Sequence, residues 1–172
     1  MKLNKHLLNS FFLILMIAAC SSIALKDRLN VSSEQQNIIL TAEQKATPEG
    51  KKILVTGRQM IENKVILPGG CWDYIHEIYN RAGYPNLPTK REDVFKSVST
   101  GPYANINLFR LGDFLYFINH SYKNFEHSAI FIDWLDNKQA LMLSYAGENR
   151  HQPARYFPYD LSSVFRVIRA KR

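Results

Sequence analysis

The chain has 172 residues, and its 22 Lys and Arg against 15 Asp and Glu give a formal net charge of +7. Aromatic residues make up 12% of it, enough to build a core, and it carries two cysteines. No His-Glu-x-x-His or Cys-x-x-Cys motif and no phosphate-cradling glycine loop occurs, so neither a metal nor a cofactor is expected.

Lys2 and Lys5 precede an apolar run from Leu7 to Ala19, broken at Asn9 and Ser10. The run falls short of the roughly 20 residues a spanning helix needs, and residues 1–19 read as an export signal. It ends in Ile17-Ala18-Ala19-Cys20. That ending resembles a bacterial lipobox, which implies a lipoprotein whose Cys20 is acylated and holds the chain on a membrane. Ser21, not Asp, follows. By resemblance to Gram-negative sorting signals this implies the cell envelope, at the periplasmic face of the outer membrane. Loss of Lys2 and Lys5 with the signal lowers the charge to about +5. Such a charge suits an anionic lipid or wall polymer. No aromatic–basic ribbon occurs and the chain is exported, so nucleic acid is not an expected partner.

Residues 20–50 are mostly polar and read as a lipidated tether, with a short helix around Ile38. Residues 51–172 then form one domain. Ile53-Leu54-Val55 is a short strand or a helix start. Pro68-Gly69-Gly70 breaks the chain. Beyond it, Trp72, Ile75, Ile78, Tyr79 and Ala82 recur at helical spacing, with Gly83 and Pro85 as stop signals. Residues 84–107 read as loop, with a short helix near 93–98. Strands are predicted over 114–118, 127–134, 140–145 and 164–168, with a turn at Asp136-Asn137-Lys138 and a loop over 147–155. One helix followed by an antiparallel meander gives an α+β class.

Cys71 opens the predicted helix. If Cys20 is acylated, Cys71 has no disulfide partner in an oxidising compartment, which marks its thiol as a candidate reactive centre. A helix start supplies free backbone N–H groups and the positive end of the helix dipole, and both favour thiolate. A base must reach the sulfur, and His127, at the start of a strand, can project towards the helix. A third group should accept the second N–H of the imidazole.

The order and spacing of these pieces resemble the NlpC/P60-type papain-like cysteine peptidases over about residues 60–170. The resemblance is carried by Cys71-Trp72-Asp73-Tyr74-Ile75, by Arg110-Leu111-Gly112-Asp113-Phe114, by His127-Ser128-Ala129-Ile130-Phe131-Ile132, by Ala140-Leu141-Met142-Leu143-Ser144 and by Val164-Phe165-Arg166-Val167-Ile168-Arg169. It implies a helix bearing the cysteine packed on a small antiparallel sheet or barrel, and hydrolysis of amide bonds in peptidoglycan stem peptides or another envelope peptide. Gly70 before the cysteine and Trp72 after it depart from the family pattern, as does the missing third histidine. Ser144 aligns best with that third position, and Glu148 and Asn149 are alternatives from the following loop. Trp72, His120 and Tyr145 are candidate substrate contacts, with Tyr145 facing either the cleft or the core. The competing function is a cell-wall-binding module of low or no activity, suggested by the missing histidine and by Trp72 beside the thiol.

Overall fold

The computed structural model describes residues 25–172, so the export signal and Cys20 lie outside the described residues. Residues 25–29 are helical and lead into α1 (Ser33–Lys45), α2 (Pro48–Glu62) and α3 (Cys71–Arg81). Each of the first two starts on a side-chain cap. Ser32 and Gln35 satisfy each other's backbone N–H groups at 3.1 Å, and Thr47 Oγ1 accepts from Gly50 N at 3.2 Å, with Pro48 in the first turn.

Six strands follow: β1 (Arg91–Lys96), β2 (Phe114–Asn119), β3 (Phe125–Trp134), β4 (Gln139–Ser144), β5 (Arg155–Asp160) and β6 (Val164–Ala170). They form one antiparallel sheet in the order β1-β6-β2-β3-β4-β5. β2 to β5 are a meander. β6 returns to pair with β2 on one side and β1 on the other.

The sheet buries both faces. On one, Phe114, Ile130, Ile132, Leu141, Leu143 and Tyr156 pack with Ile39, Ile53, Ile75, Ile78 and Tyr79 of the helices. On the other, Leu115, Phe117, Phe131, Met142 and Val167 pack with one another and with Ala104 and Phe109 from the long β1–β2 connection. The continuous apolar runs of β3 and β4 follow from this two-sided burial. α2 lies close to β4: a Cβ on Gly57 would meet Leu143 Cδ1 at 2.5 Å, so a larger residue there would require the Leu143 side chain to move.

One ion pair ties the layers together. Asp113, 1% exposed, receives Arg169 Nε at 2.8 Å and Nη2 at 2.6 Å, and the N–H of Arg110 at 2.8 Å. The same guanidinium donates to Leu108 O at 2.6 Å. From α3, the hydroxyl of Tyr79 donates to Gly112 O at 2.8 Å and also lies 3.2 Å from Ile168 O. Helix, connecting loop and two strands meet at one polar knot.

The α+β class stands, but the architecture implied by the family resemblance does not. β1 and β5 are the two ends of an open sheet and do not pair, so no small closed barrel forms, and a single six-stranded sheet takes its place. The papain-like assignment is therefore corrected. The tether read over residues 20–50 is also corrected from Leu29 onward: Leu29, Val31, Ile39 and Ala42 are core residues. The polar composition of α1 conceals a narrow apolar stripe. Residues 91–96, read as loop and helix, form β1, where Asp93 pairs with Arg166 at 2.7 Å. Residues 155–160 form β5, an outer strand that tolerates Pro158 because a proline needs no ladder N–H there. No helix among the described residues is long and apolar enough to cross a membrane.

Ile39→Ala should cost about 2–5 kcal/mol in urea unfolding if α1 belongs to the core. A cost near zero would return α1 to a tether. Asp113→Ala leaves Arg169 without its carboxylate and should cost about 3–5 kcal/mol in the same assay.

Candidate functional site

Cys71 is the first residue of α3, and its thiol is free and partly exposed. Local chemistry starts the helix there. Gly70 N donates to Asp73 Oδ2 at 2.7 Å, so the third helical residue reaches back to the cap. Gly69 holds φ at +94°, and a Cβ on it would run into the Asp73 side chain. Gly69 is thus a requirement of the turn, which sets Cys71 at a helix start.

The turn is fastened to the chain that follows β4. Tyr145 Oη donates to Leu67 O at 2.8 Å and accepts from Leu67 N at 3.3 Å. Glu148 N donates to Gly69 O at 3.0 Å. The segment preceding the cysteine is therefore bound to the segment following Ser144.

Ser144 and His127 share one face of neighbouring strands. Ser144 is in register with Ala129, and His127 lies two residues from Ala129 on the same side. His127 Nε2 is 2.7 Å from Ser144 Oγ, and Ser144 Oγ is 3.0 Å from Tyr159 Oη on β5. The imidazole lies edge-on to Phe117, with ring centres 5.5 Å apart, and against Tyr159 at 5.2 Å. Burial, reinforced by the charge of Arg155, lowers the His127 pKa from 6.5 to about 4, so the ring is neutral at physiological pH. Burial raises the Tyr159 pKa, while its bond with Ser144 and the charge of Arg155 act in the opposite direction. Among the described residues, no hydrogen bond joins Cys71 to His127.

A cleft of about 490 Å³ opens beside the relay. His127, Ser144 and Tyr159 form part of its wall, together with Arg150, Arg155 and Phe157, and Cys71 does not line it.

The other candidates fare differently. Trp72 is 44% exposed, its ring 4.5 Å from that of His76, and it stands beside the thiol without lining the cleft. Tyr145 is 0% exposed and stacks on Tyr74 at 4.4 Å, so its role as a substrate contact is corrected to a core and anchoring role. His120 is exposed, is held in its turn by Asn124 at 3.0 Å and Ser163 at 2.8 Å, and does not line the cleft. Glu148 contributes its backbone N–H to Gly69, while Ser144 supplies the partner to the imidazole. Tyr159, Arg150 and Arg155 are absent from the sequence reading. The alternation Arg155-Tyr156-Phe157-Pro158-Tyr159 could have indicated them, since it puts Arg155, Phe157 and Tyr159 on one face.

Among the described residues, no group of three His, Cys, Asp or Glu side chains is arranged to hold a metal ion. No protein-family model matches the chain, and no curated protein or solved structure matches it.

The depressed His127 pKa has a consequence for stability. Below pH 6.5 the unfolded chain protonates this ring, whereas the folded chain resists protonation down to about pH 4. Stability contributed by the neutral ring is therefore present above pH 6.5 and is lost as pH falls through that window, by roughly 3 kcal/mol at most. His127→Gln should flatten this part of the pH dependence in urea unfolding. An unchanged slope between the variant and the parent would refute the buried neutral ring.

Proposed function

We propose that the protein is a cysteine hydrolase of amide or peptide bonds, with Cys71 as nucleophile and His127 as base. The observation that carries this reading is the 2.7 Å contact between His127 Nε2 and Ser144 Oγ. It engages one ring nitrogen and leaves Nδ1 to take a proton. For that, Nε2–H donates to Ser144 Oγ and the serine hydroxyl donates to Tyr159 Oη, which fixes the tautomer. The ring is neutral, so His127 serves the thiol as a proton acceptor and not as a standing counter-ion.

In this mechanism Nδ1 removes the thiol proton as Sγ attacks the substrate carbonyl. The backbone N–H of Cys71, at the helix start, faces the oxyanion that develops. Collapse of the tetrahedral intermediate breaks the C–N bond, and His127 returns the proton to the departing amine. A thioester remains on Cys71. Water, deprotonated by His127, attacks it and releases the acid, and the thiol recovers its proton.

The order of motifs, similar to that of the NlpC/P60 peptidases, supports peptidoglycan stem peptides or another envelope peptide as substrate. The lipobox-like ending at Cys20 supports attachment to a membrane in the cell envelope, at the periplasmic face of the outer membrane. Both rest on the order of residues, since the open sheet lends no support through architecture.

Purified sacculi provide the test. The parent should release peptide fragments, and Cys71→Ala should release none. His127→Ala should slow alkylation of Cys71 and reduce turnover about 10²–10⁴-fold, and Ser144→Ala should cost up to about 10²-fold by freeing the ring. Equal alkylation in parent and His127→Ala would sink the pairing. A binding-only role is favoured by one observation, that the cleft is lined by His127 and Ser144 but not by Cys71. In that case the protein retains muropeptides without cleaving them, and Cys71→Ser leaves retention unchanged.

A further inference from the structure

The cleft beside His127 has a chemical character that the hydrolase reading does not use. Two of its walls carry guanidinium groups, Arg150 and Arg155, against the single carboxylate of Glu126. Arg58, Arg81, Arg166, Arg169 and Arg172 each hold a carboxylate, but among the described residues neither Arg150 nor Arg155 does. The Arg155 guanidinium lies 4.8 Å above the ring of Phe157, which orients its plane while leaving its edge donors for a ligand. The same cleft exposes large aromatic surface: Phe125 is 55% exposed, Tyr122 50% and Phe157 38%. The rings of Tyr122 and Phe125 meet edge to face at 5.7 Å, a preset apolar wall.

We infer that this cleft binds a ligand with a free carboxylate next to an aromatic or aliphatic group, with Arg150 and Arg155 holding the carboxylate and Tyr122, Phe125 and Phe157 holding the apolar part. Planar guanidinium groups match the two oxygens of a carboxylate, and the cleft's volume of about 490 Å³ accommodates a small peptide end. The ligand reaches the wall formed by His127 and Ser144. As a statement of substrate class, this rests on the hydrolase reading and specifies a peptide end or side-chain carboxylate near the reacting bond. As a statement about binding, it stands apart from that reading.

The experiment compares N-acetyl-L-phenylalanine with its uncharged amide by calorimetry and by NMR titration, on the full chain and on Cys71→Ala so that nothing is consumed. The acid should bind roughly ten-fold more tightly than the amide. The double variant R150Q/R155Q, checked for an unchanged unfolding midpoint, should erase that preference while retaining the weak binding of the amide. Equal affinities for acid and amide in the parent, or an undiminished preference in the double variant, overturn the inference. Carboxylate binding without turnover of any peptide fails the hydrolase reading and upholds this one. Turnover of neutral amides as fast as carboxylated ones does the reverse.

Discussion

The hydroxyl of Tyr145 engages both backbone polar groups of one residue, accepting from Leu67 N and donating to Leu67 O. The site depends on this contact. Leu67 is the last residue before the Pro-Gly-Gly turn, and Tyr145 is the first after β4, so a single oxygen sets the start of α3 relative to the end of the sheet. The stacking of Tyr145 on Tyr74 secures it from the helix side. Removing the oxygen leaves two part-buried backbone groups without this partner, at a cost set by their desolvation. The thiol, the imidazole and the serine come from elements distant in sequence, and this fastening brings their segments to the same end of the sheet.

Behind it lies the knot at Asp113. A carboxylate inside a protein is costly unless its lone pairs are filled. Here two guanidinium nitrogens and a backbone N–H fill them. Tyr79 adds the helix layer by reaching the carbonyls of Gly112 and Ile168. The β2–β3 ladder that carries His127 thus starts from a rigid corner. The relay runs at the opposite end of these strands, through Ser144 to Tyr159.

What could be read from residues alone follows from how local the signals are. The stripe of Ile75, Ile78 and Tyr79, closed by Gly83, gave α3, and the branched and aromatic runs gave β2 to β4, because those patterns report burial directly. The place of the imidazole's partner on the next strand was legible from strand order, whereas the choice of Ser144 over Glu148 and Asn149 came from the structure. β1 and β5 were not legible. Arg91-Glu92-Asp93 carries no apolar signal, and it is a strand because β6 offers a ladder and Arg166 offers a charge. β5 contains Pro158, which an outer strand tolerates but which weakens the strand signal of its residues. α1 hid its few core residues among polar ones, since only tertiary contact distinguishes a narrow stripe from a tether. The resemblance matched the motifs in order but implied a small papain-like sheet or barrel where an open six-stranded sheet stands, because motif order determines neither the number of strands nor whether the first and last pair. Tyr145 was ambiguous for a related reason: an aromatic residue with a hydroxyl suits a cleft or a core equally until its hydrogen-bond partner is known.

The open sheet has two flanks, and each is spoiled as a template for another chain. On one flank β1 carries a break in register between Asp93 and Phe95 and is studded with charge. On the other, Pro158 interrupts the row of donors that β5 would present. Bulges, charges and prolines are the devices by which exposed strands avoid edge-to-edge growth. A sheet left unclosed thereby escapes the association that unclosed sheets invite, and the flank next to the cleft stays clear for small molecules instead of a neighbouring strand.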